Sequence, residues 1–154
     1  MIAFSTPLNT NNEFKDHIDK HGDGVREIAF TVEDATKVYS TAVSRGAKPV
    51  QEPIRLEDKN GWVIISSVLS YGDTVHTFVQ RDQFSGVFLP NYQALEKEDP
   101  INEIAGKLNY GFIDHIVGNH AVGGMETSVE WYEKMLSFHR FWSIDDSVIH
   151  TEYR

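Results

Sequence analysis

The sequence of 154 residues is long enough for one ordinary domain, or for a small domain and part of another, to fold around its own core. With 40% hydrophobic and 24% charged residues it has the composition of a soluble globular protein, and it contains no apolar run of about eighteen residues that could span a bilayer. The net charge of −9, without a basic patch, argues against a nucleic-acid partner. Without cysteine the chain can form neither a disulfide nor a thiolate metal site, and we expect a cytoplasmic location.

Both ends of the sequence suggest interrupted structure. The first predicted elements are a short strand over residues 2–4 and, after a polar turn, a helix over residues 13–21. A strand placed so abruptly at a chain start is expected to have lost its partner. A further strand is predicted over residues 147–153, just before the last residue. We therefore expect a fragment of a longer protein.

Residues 24–80 have the pattern of a β-α-β-β-β unit. An apolar run predicts its first strand, Asp34 then stands at the N-cap of a helix with apolar residues at helical spacing, and Gly46 is suited to end that helix. Pro49 and a second nearby proline favour an edge strand next. The Asn-Gly pair at residues 60–61 and a later Tyr-Gly-Asp turn predict the two hairpins that complete the unit.

Residues 83–109 lose this periodicity, and their Gly, Pro and charged residues predict a surface linker. A second unit follows. We expect a strand over residues 113–117, a helix over residues 127–136 that begins with a Thr-x-x-Glu capping box, and another strand over residues 138–144. The order of its elements repeats that of the first unit.

His115 is the candidate metal ligand of the second unit. Aligning the two units by their first strands places Ile28 opposite His115, so only the second unit would carry chemistry there. A buried strand histidine needs hydrogen-bond partners on both nitrogens or a metal. Its neighbour Asp114 is expected to point to the opposite face of the strand. Taken alone, this placement favours a structural histidine.

The other histidines give weaker signals. His17 and His21 are four residues apart and could share a helix face as zinc ligands, but the stretch is highly charged and a solvated face is favoured. His76, in a strand among threonines, is predicted to be a hydrogen-bonded surface or half-buried residue rather than a ligand. The same is predicted for His139 and His150, which have no partner at a recognisable spacing.

Six short segments, in the same order and spacing across almost the whole chain, together resemble the animal-type 4-hydroxyphenylpyruvate dioxygenase family. They are HGDGV at residues 21–25, YGDT at 71–74, FLP at 88–90, IDHIVGN at 113–119, FHRFW at 138–142 and HTEY at 150–153. The resemblance implies an α+β fold of the vicinal oxygen chelate superfamily, in which βαβββ modules curl a mixed sheet around a metal pocket.

The resemblance also implies a domain organisation. Residues 1–82 would form the C-terminal part of a first oxygen-chelate domain, residues 83–109 a linker, and residues 110–154 the truncated start of a second, catalytic domain. The full-length family implies a homodimer.

The activity that the resemblance implies is the conversion of 4-hydroxyphenylpyruvate and O2 to homogentisate in tyrosine catabolism. Two histidines and one glutamate hold Fe(II) in this family, and the 2-oxoacid group of the substrate chelates the iron. His115 matches the first histidine ligand, whereas the other two ligands lie in parts of the family pattern beyond Arg154. One imidazole cannot hold iron alone, so we expect this chain by itself to be inactive.

Three alternatives remain open at this point. The chain could derive from a hydroxymandelate-synthase-like enzyme, which shares the substrate, the iron and the fold. It could instead be a non-catalytic module that uses the oxygen-chelate fold to bind a ligand or a partner. Two copies could also assemble one metal site between them.

Overall fold

A mixed sheet with helices packed on one face forms the centre of the computed structural model, which describes residues 1–9, 12–106 and 111–144. In chain order the elements are α1 Glu13–His21, β1 Glu27–Thr31, α2 Ala35–Ser44, β2 Lys48–Asp58, β3 Gly61–Leu69, β4 Val75–Gln80, α3 Ile101–Ala105 and α4 Met125–Leu136. None of these helices is long and apolar enough to cross a membrane.

The sheet has the strand order β1-β4-β3-β2, with β1 parallel to β4 and the other neighbours antiparallel. This arrangement confirms the predicted β-α-β-β-β unit. The two proline residues of β2 lie on an edge strand, where a missing amide proton costs little. Gly61, at the tight turn into β3, has a φ of 118°, and a Cβ atom there would lie 2.0 Å from the Gln83 carbonyl oxygen. This position therefore requires glycine.

The helix α2 covers the face of the sheet that carries the core. The side chain of Asp34 accepts a hydrogen bond from the Lys37 amide at 2.8 Å, which confirms the predicted N-cap. Ala35 and Ala42 are fully buried and allow the helix to approach the sheet closely, where the core also contains Phe78. Burial of these apolar surfaces is the main force that holds α2 on the sheet.

The helix α4 joins α2 on the same face. Trp131, Met135 and Leu136 pack against the cluster formed by α2 and the sheet. The Arg45 side chain, just beyond α2, donates to the Ser137 hydroxyl and to the Lys134 carbonyl at the end of α4. The second predicted unit is therefore attached to the first through its helix.

The predicted strand over residues 2–4 is wrong. These residues form no strand, and the side chain of Phe4 is 95% exposed. An apolar run becomes a strand only when another strand pairs with its backbone groups, and β1, at this edge of the sheet, pairs only with β4 among the described residues.

The strands predicted over residues 113–117 and 138–144 are likewise absent from the described part of the chain, where both stretches are irregular and largely exposed. The physical reason is the same, because within residues 1–9, 12–106 and 111–144 neither stretch has a strand beside it. The strand predicted over residues 147–153 lies outside the described residues.

The predicted start of the second helix is also wrong. α4 begins at Met125, its N-cap is Gly124, and no side chain caps it. Thr127 therefore lies inside the first turn, where its hydroxyl cannot act as an N-cap acceptor. The helix starts earlier because the Gly124 carbonyl accepts the hydrogen bond from the Ser128 amide.

The predicted linker contains more structure than the sequence pattern suggested. Phe84 is buried and bridges to Gly61, which ties the beginning of this stretch to the sheet. Further along, the short helix α3 has no counterpart in the prediction. The domain boundaries at residues 82 and 110 stay a prediction.

Candidate functional site

An open cavity of about 470 Å³ lies between the sheet, α4 and the irregular residues 113–120, which we call the His115 segment. Four parts of the structure form the cavity wall. The sheet contributes Ile28, Phe30 and His76, and the β3–β4 turn contributes Tyr71. The remaining wall residues belong to the His115 segment and to α4 with its following turn: Ile113, Asp114, His115, Ile116, Gly118, His120, Ser128, Val129, Tyr132 and Phe138. The structure thus brings Ile28 and His115, the two positions aligned in the repeat, into one cavity.

His115 lies at the rim of this cavity rather than within a sheet. Its side chain is 73% exposed, and its Nδ1 atom is 2.6 Å from the Asp114 carboxylate. The expectation that Asp114 points away from His115 is therefore wrong. Side chains alternate between faces only in a strand, and this segment is irregular, so neighbouring side chains can meet.

The donor set around His115 does not complete an iron site. In residues 1–9, 12–106 and 111–144, no group of three or more histidine, cysteine, aspartate or glutamate side chains is placed to hold a metal ion. A facial triad needs two imidazoles and a carboxylate around one ion. Around His115 this part of the chain places only that imidazole and the Asp114 carboxylate, which do not fit Fe(II) without further ligands.

The buried polar centre of the cavity wall is His76. Only 1% of this residue is exposed. Its Nε2 atom is 2.9 Å from the Tyr132 hydroxyl of α4, and its Nδ1 atom is 3.4 Å from the Ile28 carbonyl of β1. These contacts fit a neutral imidazole that carries its proton on Nδ1 and accepts a hydrogen bond from the Tyr132 hydroxyl at Nε2. The hydrogen bonding predicted for His76 is confirmed, but its predicted surface or half-buried position is wrong, because α4 covers it.

Burial shifts both members of this pair towards their neutral forms. It lowers the pKa of His76 below the ordinary value, because a charged imidazole loses its hydration here. Burial, together with the nearby Tyr71, raises the pKa of Tyr132 to about 12. At neutral pH a neutral phenol therefore donates to a neutral imidazole.

The lowered pKa of His76 predicts a loss of stability on mild acidification. Between the unfolded pKa near 6.5 and the lower folded pKa, the unfolded chain binds a proton that the folded chain does not, so the free energy of unfolding decreases as the pH falls. This contribution is at most about 1.4 kcal/mol per pH unit. Urea unfolding of the native protein and of His76→Gln at pH 7.5 and 5.5 measures it. A pH dependence of equal size in both proteins would contradict the assignment.

A second polar contact joins the segment to α4. The buried Ser128 hydroxyl donates to the Gly124 carbonyl at 3.1 Å and is 3.0 Å from Nδ1 of His120, from which it can accept. The His120 ring in turn packs on the ring of Tyr71, with centroids 4.7 Å apart. Sequence reasoning did not identify His120, because its contacts involve residues at no regular spacing from it.

The histidines of α1 form no metal site in the described structure. The rings of His17 and His21 are 4.7 Å apart, and Nε2 of His21 contacts the Asp73 carboxylate at 2.8 Å. Lys20 pairs with the same carboxylate. The prediction of a charged, solvated helix face is confirmed. His139 is exposed, and His150 lies outside the described residues.

Comparison with known proteins identifies the relatives of this chain, although no family model matches it. It is 47% identical over 99% of its length to the 4-hydroxyphenylpyruvate dioxygenase of Dictyostelium discoideum. It is 45% identical, over 99% of its length in each case, to the proteins of the same name from Tetrahymena thermophila and Xenopus tropicalis. The resemblance to 4-hydroxyphenylpyruvate dioxygenases is confirmed. The chain spans about two fifths of these proteins, with 42%, 39% and 39% of their lengths covered.

A solved structure supports the fold. A triple mutant of 4-hydroxymandelate synthase from Streptomyces coelicolor matches this chain with a TM-score of 0.69 at 22% identity, over 89% of this chain and 38% of the other. At this identity the match shows the fold alone, and the α+β vicinal oxygen chelate fold expected from the sequence is confirmed.

Proposed function

We propose that this chain is part of an Fe(II)-dependent dioxygenase that converts 4-hydroxyphenylpyruvate and O2 to homogentisate in tyrosine catabolism. The observation that carries the proposal is the 45–47% identity to curated 4-hydroxyphenylpyruvate dioxygenases over 99% of the chain. The matched stretch is nearly the whole chain and so takes in the segment around His115. A cytoplasmic homodimer is proposed for the full-length protein on the same similarity.

His115 is the residue that we assign to the iron. Its exposed ring and the contact between Nδ1 and the Asp114 carboxylate support the assignment, because a carboxylate on one nitrogen orients an imidazole and leaves Nε2 to the metal. When bound, the iron supplies the oxidative chemistry of the family. By the same resemblance, the two further protein ligands come from the part of the full-length relatives that this chain does not span. This chain alone therefore has an incomplete site and is expected to form no homogentisate.

A hybrid protein tests the proposal directly. In it, this chain replaces the matching segment of the Dictyostelium discoideum relative, which supplies the remainder of the protein. We expect the purified hybrid to form homogentisate from 4-hydroxyphenylpyruvate in the presence of Fe(II), with product measured by chromatography. The 154-residue chain alone is the control and should form none. A folded hybrid with no product would reject the assigned activity, and the non-catalytic alternative would then be favoured.

A further inference from the structure

The contact between the βαβββ unit and the His115 segment is made by a small set of specific side chains. Two of them belong to the βαβββ unit, His76 on β4 and Tyr71 in the β3–β4 turn. They meet Tyr132 on α4 and His120 in the segment that leads into it. The match to the solved synthase structure covers 89% of this chain, a larger share than residues 1–106 make up, so the shared fold extends past the linker.

The hydrogen bond between His76 and Tyr132 is the buried part of this contact. It joins the sheet to α4 at 2.9 Å, and Phe30 and Trp131 pack around the imidazole with ring centroids 5.2 and 5.8 Å from it. Phe138, just after α4, stacks on the Tyr132 ring. Removing one partner would leave a polar atom buried without its bond, which costs more than the bond itself contributes. The pair therefore specifies one position of α4 on the sheet.

Tyr71 fixes the segment at a second point. A Cβ atom on Gly118 would lie 1.8 Å from the Tyr71 hydroxyl, so the phenol packs directly against the backbone three residues after His115. The His120 ring packs on Tyr71 at an interplanar angle of 56°, and the bond between His120 and Ser128 connects the segment to the first turn of α4. A side chain at Gly118 of the IDHIVGN motif would therefore displace the Tyr71 hydroxyl from this contact.

We infer that His76 and Tyr71 are positioning residues, which hold α4 and the His115 segment against the βαβββ unit. Each acts through a residue of the second unit, Tyr132 for His76 and His120 for Tyr71. A role of this positioning in iron binding by His115 rests on the proposed function, whereas the contacts themselves need no metal. The test below therefore uses the metal-free chain, and its outcome does not depend on homogentisate formation.

The experiment compares amide hydrogen exchange in α4 between the native 154-residue chain and three variants. Tyr132→Phe and His76→Phe each remove the hydrogen bond and keep an aromatic ring, and we expect exchange in α4 to become about fivefold faster in both. His76→Gln, whose amide can still accept from the phenol, should restore most of the protection. The matched control is Tyr39→Phe on α2, a ring that packs on the same core and is expected to change α4 little.

Two further measurements complete the test. The double variant His76→Phe/Tyr132→Phe should exchange no faster in α4 than Tyr132→Phe alone, because that single change already removes the bond to His76. In the Tyr71→Phe variant, 15N relaxation of the amides of residues 113–118 should show greater mobility. Protection of β3 and β4 in every variant reports that the sheet remains folded. Exchange in α4 that is equal in Tyr132→Phe and Tyr39→Phe, with the sheet protected, would overturn the inference.

Discussion

Replacement of His115 by alanine in the hybrid protein is expected to reduce homogentisate formation by on the order of 10³-fold or more. The proposed site holds the iron with two imidazoles and one carboxylate. The loss of one imidazole would weaken the binding of the ion and disturb its position in the site. Metal ions contribute several kcal/mol to such reactions, and each 1.36 kcal/mol corresponds to a factor of ten in rate. Product formation at saturating 4-hydroxyphenylpyruvate and Fe(II) measures the effect.

The matched control for this variant is His139→Ala. His139 is an exposed histidine of the same unit, and its removal should leave product formation within about twofold of the native hybrid. Iron content after gel filtration separates the two variants without an activity assay, since only His115→Ala should lose the metal. If His115→Ala retained both iron and product formation, His115 would not be a ligand, even though the hybrid remained a dioxygenase.

The βαβββ unit could be predicted because its signals are local. The N-cap at Asp34 and the Asn-Gly turn before Trp62 each depend on a few neighbouring residues, and both occur where the sequence placed them. The strands predicted over residues 113–117 and 138–144 were wrong, because their signal is not local in this sense. Their apolar residues are suited to a sheet, but pairing depends on partner strands that no local pattern reveals.

The candidate site was less predictable than the fold. The burial of His76 depends on α4, whose Tyr132 contacts the imidazole although it lies 56 residues later in the chain. The importance of His115 came from the resemblance to a family, because its placement alone favoured a structural histidine. Its contact with Asp114 could not be foreseen while the segment was taken to be a strand.

Phe78→Ala is expected to cause the largest loss of stability among single substitutions in the βαβββ unit, about 3–5 kcal/mol. Phe78 lies on the inner strand β4, is 2% exposed, and packs in the core beneath α2, so its truncation leaves a cavity that the sheet cannot close. Phe141→Ala is the matched control, because that ring is 96% exposed and its loss should change the free energy of unfolding by less than about 0.5 kcal/mol. Urea unfolding followed by far-UV circular dichroism measures both variants. Similar losses in the two would mean that the core does not lie between α2 and the sheet.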